Sequence, residues 1–199
     1  MTAEAPARRP TALAILLIVG GLLGLLAAFA LTLDKIALLQ DPNFVPNCNI
    51  SPLVTCGKNL GSSQGSAFGF PNPLLGLMGF PAPIAVGVGL LAGARYARWF
   101  WLLFNAGMLG ALGFVVWLIS VSIFQLGTLC PWCMLVWSMV IPMTFATTFY
   151  NLAAGNLPTG RAVRRVGAFL YGWTPLVSLL AYVTVAVLAQ IRLDVLSSI

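Results

Sequence analysis

The sequence predicts an all-α integral membrane protein with five transmembrane helices. Three observations carry that fold class. The 199 residues are 60% hydrophobic and only 7% charged. So little polar surface cannot cover one water-soluble core. Apolar runs recur near 11–33, 74–94, 99–124, 131–153 and 167–191, each close to the roughly 20 residues that span about 30 Å of hydrocarbon. Those runs also lack the polar face that a helix on a soluble domain requires.

The first run follows Arg8 and Arg9 and could be taken for a signal peptide. Its apolar stretch is too long for one, and no clear small-residue cleavage site follows, so it is expected to be a retained helix. Between the first two runs lies the one long stretch expected to be non-helical, about 34–73. Prolines at 42, 46, 52, 71 and 73 and glycines at 57, 61, 65 and 69 argue against a continuous helix there. A connection of this length is usually functional. Its part from Leu60 to Phe70 mixes Phe and Leu with Gly and Ser and is expected to form a short half-helix capping the bundle.

Orientation follows from the basic residues. If the five runs alternate direction, Arg8, Arg9, Arg95, Arg98, Arg161, Arg164 and Arg165 share one side, against Lys35, Lys58 and Arg192 on the other. The positive-inside rule puts the N-terminus in the cytoplasm and the C-terminus outside. The net charge of +6 is thus a topology signal and suggests no nucleic acid. Tyr96, Trp99, Trp101, Tyr150, Tyr171 and Trp173 are expected at the inner interface and Trp132 at the outer one, as an anchoring belt. No internal repeat points to a transporter. No acidic residue is expected inside a helix, which argues against a proton-coupled pathway.

This topology gathers all four cysteines on the outer face, where disulfides form and persist. Cys48 and Cys56 lie in the long connection, and Cys130 and Cys133 head the fourth helix as "CPWC". Pro131 suits the first helical position, so Cys130 is the expected N-cap. The positive end of the helix then favours a thiolate, and thiols in such motifs titrate below the ordinary value. Three residues of helix bring the two sulfurs onto one face. Cys48 and Cys56, with Pro52 between them, can close an exposed, labile disulfide. One mobile outer pair and one fixed pair at the membrane boundary suggest a two-electron relay by thiol–disulfide exchange. Two structural disulfides remain an alternative reading, as does a four-cysteine zinc site. The absence of histidine excludes a Cys–His nucleophile and histidine-ligated metals.

Electrons leaving the inner pair need an acceptor. No nucleotide fingerprint is present, and a quinone is the two-electron carrier dissolved at that depth. Asn72 could donate a hydrogen bond to its headgroup, or cap the second helix before Pro73. Trp137, one turn below Cys133, could wall the slot, or simply pack in the core.

A loop pair "CNISPLVTC", a serine soon after it and a C-x-x-C heading the fourth helix together resemble the vitamin K epoxide reductase family, in its bacterial branch. The resemblance covers about residues 11–153. It implies that Cys48, Cys56, Cys130 and Cys133 are catalytic, and that Ser62 and Asn72 correspond to a family serine and a quinone-contacting asparagine. It implies a four-helix bundle around a quinone, menaquinone or ubiquinone, with the fifth helix outside. The whole is then a single membrane domain: a catalytic bundle at 1–153 containing the external loop 34–73, and a cytoplasmic loop, fifth helix and external C-terminus at 154–199. It also implies an order of transfer. A thioredoxin-like (DsbA-type) donor attacks Cys48, Cys56 attacks Cys130, and Cys133 faces the quinone. In bacteria such enzymes oxidise secreted proteins at the plasma membrane. The chain departs from the animal members in having Trp137 where they carry tyrosine. It ends soon after the fifth helix, so the donor is expected to be a separate protein. Other expectations remain open: reduction of a quinone epoxide on the same scaffold, or a disulfide-stapled membrane adaptor without activity.

Overall fold

The computed structural model describes residues 10–41 and 43–194, which leaves Arg8, Arg9 and the C-terminal residues 195–199 outside the described residues. Those described are helical apart from loops and one isolated backbone bridge. Five segments are long and apolar enough to cross a membrane: Thr11–Gln40, Pro73–Leu91, Arg98–Leu126, Pro131–Ala154 and Thr174–Leu193.

Helix α1 (Thr11–Gln40) shows how sequence sorts its faces. Leu13, Leu17, Gly20, Gly24 and Leu31 are buried, while Ile15, Val19, Leu22, Leu26, Phe29 and Leu33 are exposed at spacings of three and four. The second set is a lipid-facing stripe, because a helix repeats its face every 3.6 residues. Small residues on the inner face admit a close neighbour: a Cβ on Gly24 would run into the Phe80 ring. Lipid is as apolar as any leucine, so this intimate packing, rather than hydrophobic burial, draws the helices together.

Helix α1 runs further than the sequence suggests. Asp34 and Lys35 lie inside it, not in a loop, and the non-helical connection is correspondingly shorter. At 30 residues it measures about 45 Å, longer than the roughly 30 Å of hydrocarbon. The segment that follows contains a short helix α2 (Gly57–Gly61) and a tight 3₁₀ turn (Ser63–Ser66) in place of one half-helix.

The second span is α3 (Pro73–Gly79) and α4 (Pro81–Leu91), interrupted where Pro81 has no N–H to give. Helix α5 (Arg98–Val121) ends in a wide π turn (Ser122–Leu126) closed by Gly127 at φ 63°. Helix α6 (Pro131–Ala154) packs on α1 and α5. Together α1, α3–α4, α5 and α6 form the bundle. At the end remote from the cysteines, Asn151 donates to Asn105 at 3.2 Å and accepts from Asn156 at 2.9 Å, joining α5 to α6.

Two expectations need correction here. The stretch expected as a cytoplasmic loop contains helix α7 (Arg161–Gly172), packed on α6 with Gly167 against Leu152. The fifth span therefore begins at Thr174, not 167, as α8 (Thr174–Leu193), with Pro175 in its first turn. The apolar "GAFLYGW" belongs to a separate amphipathic helix that merely adjoins the span. Trp101 also leaves the expected belt: it is buried, with its ring 5.1 Å from that of Tyr150.

Helix α8 lies outside the bundle against α6 and the π turn. One polar contact fixes it. Pro142 inside α6 cannot donate to the carbonyl four residues back, which is that of Ser138. The Tyr182 hydroxyl of α8 donates to that orphaned oxygen at 2.5 Å.

Candidate active site

Cys48 and Cys56 form a disulfide, and Cys130 and Cys133 are free thiols. The pairs meet: the Cys130 sulfur lies 3.2 Å from that of Cys56. Local backbone sets this approach. Val54 and Leu129 form a parallel bridge, with Leu129 N–H donating to Leu53 O at 2.8 Å and Thr55 N–H to Leu129 O at 3.0 Å. The residues next in each chain are Cys56 and Cys130. The Asn49 side-chain oxygen accepts from the Thr55 hydroxyl and the N–H groups of Cys56 and Gly57, which fixes the start of α2. Asn59 reaches across to the Thr128 hydroxyl at 3.2 Å.

Cys130 occupies the N-cap of α6, with Pro131 in the first turn, and its sulfur accepts from the Cys133 N–H at 3.4 Å. A hydrogen bond from the Cys133 thiol lowers the Cys130 titration range most. The N–H groups of Cys133 and Trp132 add to that, and burial opposes it. A helix start presents unpaired N–H groups that favour negative charge, which is why a cysteine here leans toward thiolate.

Cys56 and Cys130 are both wholly buried, whereas Cys48 is 7% exposed. The outer pair is thus far less open to solvent than a loop disulfide was expected to be. Leu31, Leu60 and Trp132 pack over it, so Trp132 does more than anchor.

Below the sulfurs lies a cavity of about 890 Å³ within the bundle. Cys133 and Trp137 line one wall, from successive turns of α6, and Phe80, Phe114 and Met143 line others. Trp137 is also buried in the core. The segment 57–72 covers the mouth. Lys35 ties it to α1 through Leu60 O at 2.6 Å, Gln64 to Gln125 at 3.1 Å, and Phe68 lies 5.7 Å from Phe114, centre to centre.

Ser62 and Asn72 both line this cavity. Their polar atoms also hold the cover together. Ser62 donates to Asn59 O and accepts from Gly65 N–H, capping the 3₁₀ turn. Asn72 stands at the N-cap of α3, but its side chain does not cap it: it donates to Gln64 O and accepts from Ala67 N–H. One amide hydrogen of Asn72 is left over by this arrangement.

Sequence reasoning missed Asp34, Asn49 and the bridge at Val54. Asn49 adjoins a cysteine, but nothing in its sequence context marks a clamp. Among the described residues no group of three or more His, Cys, Asp or Glu could hold a metal ion.

Sulfurs in contact at this spacing can exchange disulfides. A chain that keeps them above an apolar chamber between spanning helices is a multi-pass membrane protein of the oxidoreductase class. A profile of the vitamin K epoxide reductase family matches residues 15–148, a stretch that includes all four cysteines, and the chain belongs to this family. No curated protein matches it.

Proposed function

We propose that the protein makes disulfide bonds in other proteins, by moving two electrons from a thioredoxin-like donor to a quinone. The contact between Cys56 and Cys130, with Cys133 facing the cavity, carries this reading. Cys48 is the least buried of the three cysteines in contact, so an outside thiol attacks there and Cys56 leaves. The Cys56 thiolate attacks Cys130 of a closed inner pair, forming Cys56–Cys130 and freeing Cys133. Once the donor's second thiol has released Cys48, Cys48 attacks Cys56. The outer disulfide closes again and Cys130 leaves as a thiolate. A closed outer pair beside two inner thiols is the arrangement that this step would leave.

A quinone in the cavity takes the two electrons as Cys130 and Cys133 join, with two protons completing the quinol. The chamber suits it: the volume falls in the range of small-molecule sites, and the walls are aromatic and aliphatic. Trp137 and Phe114 flank the ring, the spare Asn72 amide hydrogen meets a carbonyl, and Ser62 keeps the cover in shape. The cysteine end faces the extracytoplasmic side of a bacterial plasma membrane, in keeping with the distribution of arginines. The donor is a separate DsbA-type protein.

The test is direct. Purified protein is mixed with a reduced thioredoxin-like protein and a short-chain ubiquinone or menaquinone, and quinone absorbance is followed. Loss of absorbance that needs both the donor thiols and Cys133 supports the reading. Protein-independent loss, or none, defeats it.

A further inference from the structure

Asp34 was expected in a loop. It lies instead near the end of α1, on the turn that faces the outer disulfide. Its Oδ2 stands 3.5 Å from the Cys48 sulfur. A closed disulfide carries no proton, so this approach is a contact between carboxyl and sulfur, not a hydrogen bond. When the donor's second thiol releases Cys48, that thiol's proton passes to the departing Cys48 sulfur, and the same geometry becomes a thiol-to-carboxylate hydrogen bond.

That proton matters in the relay. Cys48 must return as a nucleophile to resolve the Cys56–Cys130 link, and the thiolate, not the thiol, attacks. The chain contains no histidine to take the proton. Lys35, beside Asp34 on α1, is turned to Leu60 O. Among the described residues Asp34 is the carboxylate that touches a cysteine sulfur.

Resting on the relay reading above, we propose that Asp34 is the general base that deprotonates Cys48 in the resolving step. The Cys48 thiol gives its proton to the Asp34 carboxylate. The Cys48 sulfur bonds to Cys56 as the Cys56–Cys130 bond breaks. Cys130 departs with the electron pair, held by the N–H groups that open α6. The products are a Cys48–Cys56 disulfide, a Cys130 thiolate and a neutral Asp34, which returns its proton to water at the protein surface. Lys35 follows Asp34 on α1, Cys130 at the head of α6 interacts with the Asp34 charge, and Asp41, Lys58 and Cys133 are the other charged or titratable groups at these ends of α1, α2 and α6.

The experiment starts from full-length protein with both pairs oxidised, mixed with one equivalent of reduced thioredoxin and quenched in acid at intervals. Non-reducing peptide mapping follows the Cys56–Cys130 and Cys48–Cys56 links. In the Asp34→Asn variant the Cys56–Cys130 link should persist on the order of 100-fold longer than in the wild type, the usual reach of a positioned base. The final yield of closed outer pair should be unchanged. Raising the pH into the thiol range should restore the rate, and Asp34→Glu should recover part of it at neutral pH. An unchanged lifetime in Asp34→Asn, or a slowing that pH does not relieve, overturns the assignment while leaving the relay intact. Absence of the Cys56–Cys130 link from the wild type itself overturns the relay, and Asp34 with it.

Discussion

The sulfur of Cys56 touches that of Cys130 at 3.2 Å across 74 residues of chain. The Val54–Leu129 bridge one step upstream sets the approach. Exchange between the pairs therefore needs little backbone movement. Removing Cys48 should leave Cys56 and Cys130 free to join, with no Cys48 to resolve the link. Cys48→Ser protein, mildly oxidised and mapped without reductant, is expected to carry a Cys56–Cys130 disulfide as its main cross-link. A mixture of random pairings would show that the contact does not direct the chemistry.

The two ends of the relay should fail differently. Cys133→Ala is expected to reduce quinone turnover to background with every donor, because Cys133 is the thiol that lines the cavity. Cys48→Ala should block a protein donor more severely than dithiothreitol, since a small dithiol can approach more deeply. Parallel rate measurements with both donors decide this, and equal losses in the Cys48 variant would count against an outer shuttle.

The lowered titration range of Cys130 has a pH signature. A depressed thiol is charged above its lowered value and becomes neutral as pH falls through it, so attack by Cys130 on the closed outer pair should persist below the ordinary thiol range and then decline. The hydrogen bond from Cys133 is the largest cause. In Cys133→Ala the acid limb should move to higher pH. Acid-quenched mapping of the Cys56–Cys130 link against pH reads this shift; an unmoved limb would assign the effect to the helix start alone. The same sign governs stability: the contribution is present above the unfolded thiol value and is lost as pH falls through the folded one.

Tyr182→Phe tests the attachment of α8. The substitution leaves the Ser138 carbonyl without its partner opposite Pro142. Hydrogen bonds between membrane helices average about 0.6 kcal/mol and reach about 1.7. A loss in that range in a denaturation curve is expected, with quinone turnover retained, because α8 lies outside the bundle.

The spans were legible because about 20 consecutive apolar residues have few alternatives in water. The N-cap role of Cys130 was equally legible, since Pro131 fixes the helix start. What escaped notice was set by tertiary contact. Asp34 and Lys35 read as loop residues because charge ends an apolar run, yet a helix can continue past the lipid where water satisfies its side chains. Helix α7 merged with the fifth span because its own apolar residues adjoin it. Asn72 looked like a cap because a proline follows it, but its side chain turns back to Gln64 and Ala67. Periodicity and capping rules are local, and all these outcomes depend on what a distant segment brings alongside.

With Cys56 and Cys130 both at 0% exposure, the middle of this wire is insulated. Stray glutathione-sized thiols have no terminal there to short-circuit. If the proposed relay operates, current enters at a single contact, Cys48, and the fidelity of oxidation is decided by whichever protein surface can dock against that one sulfur.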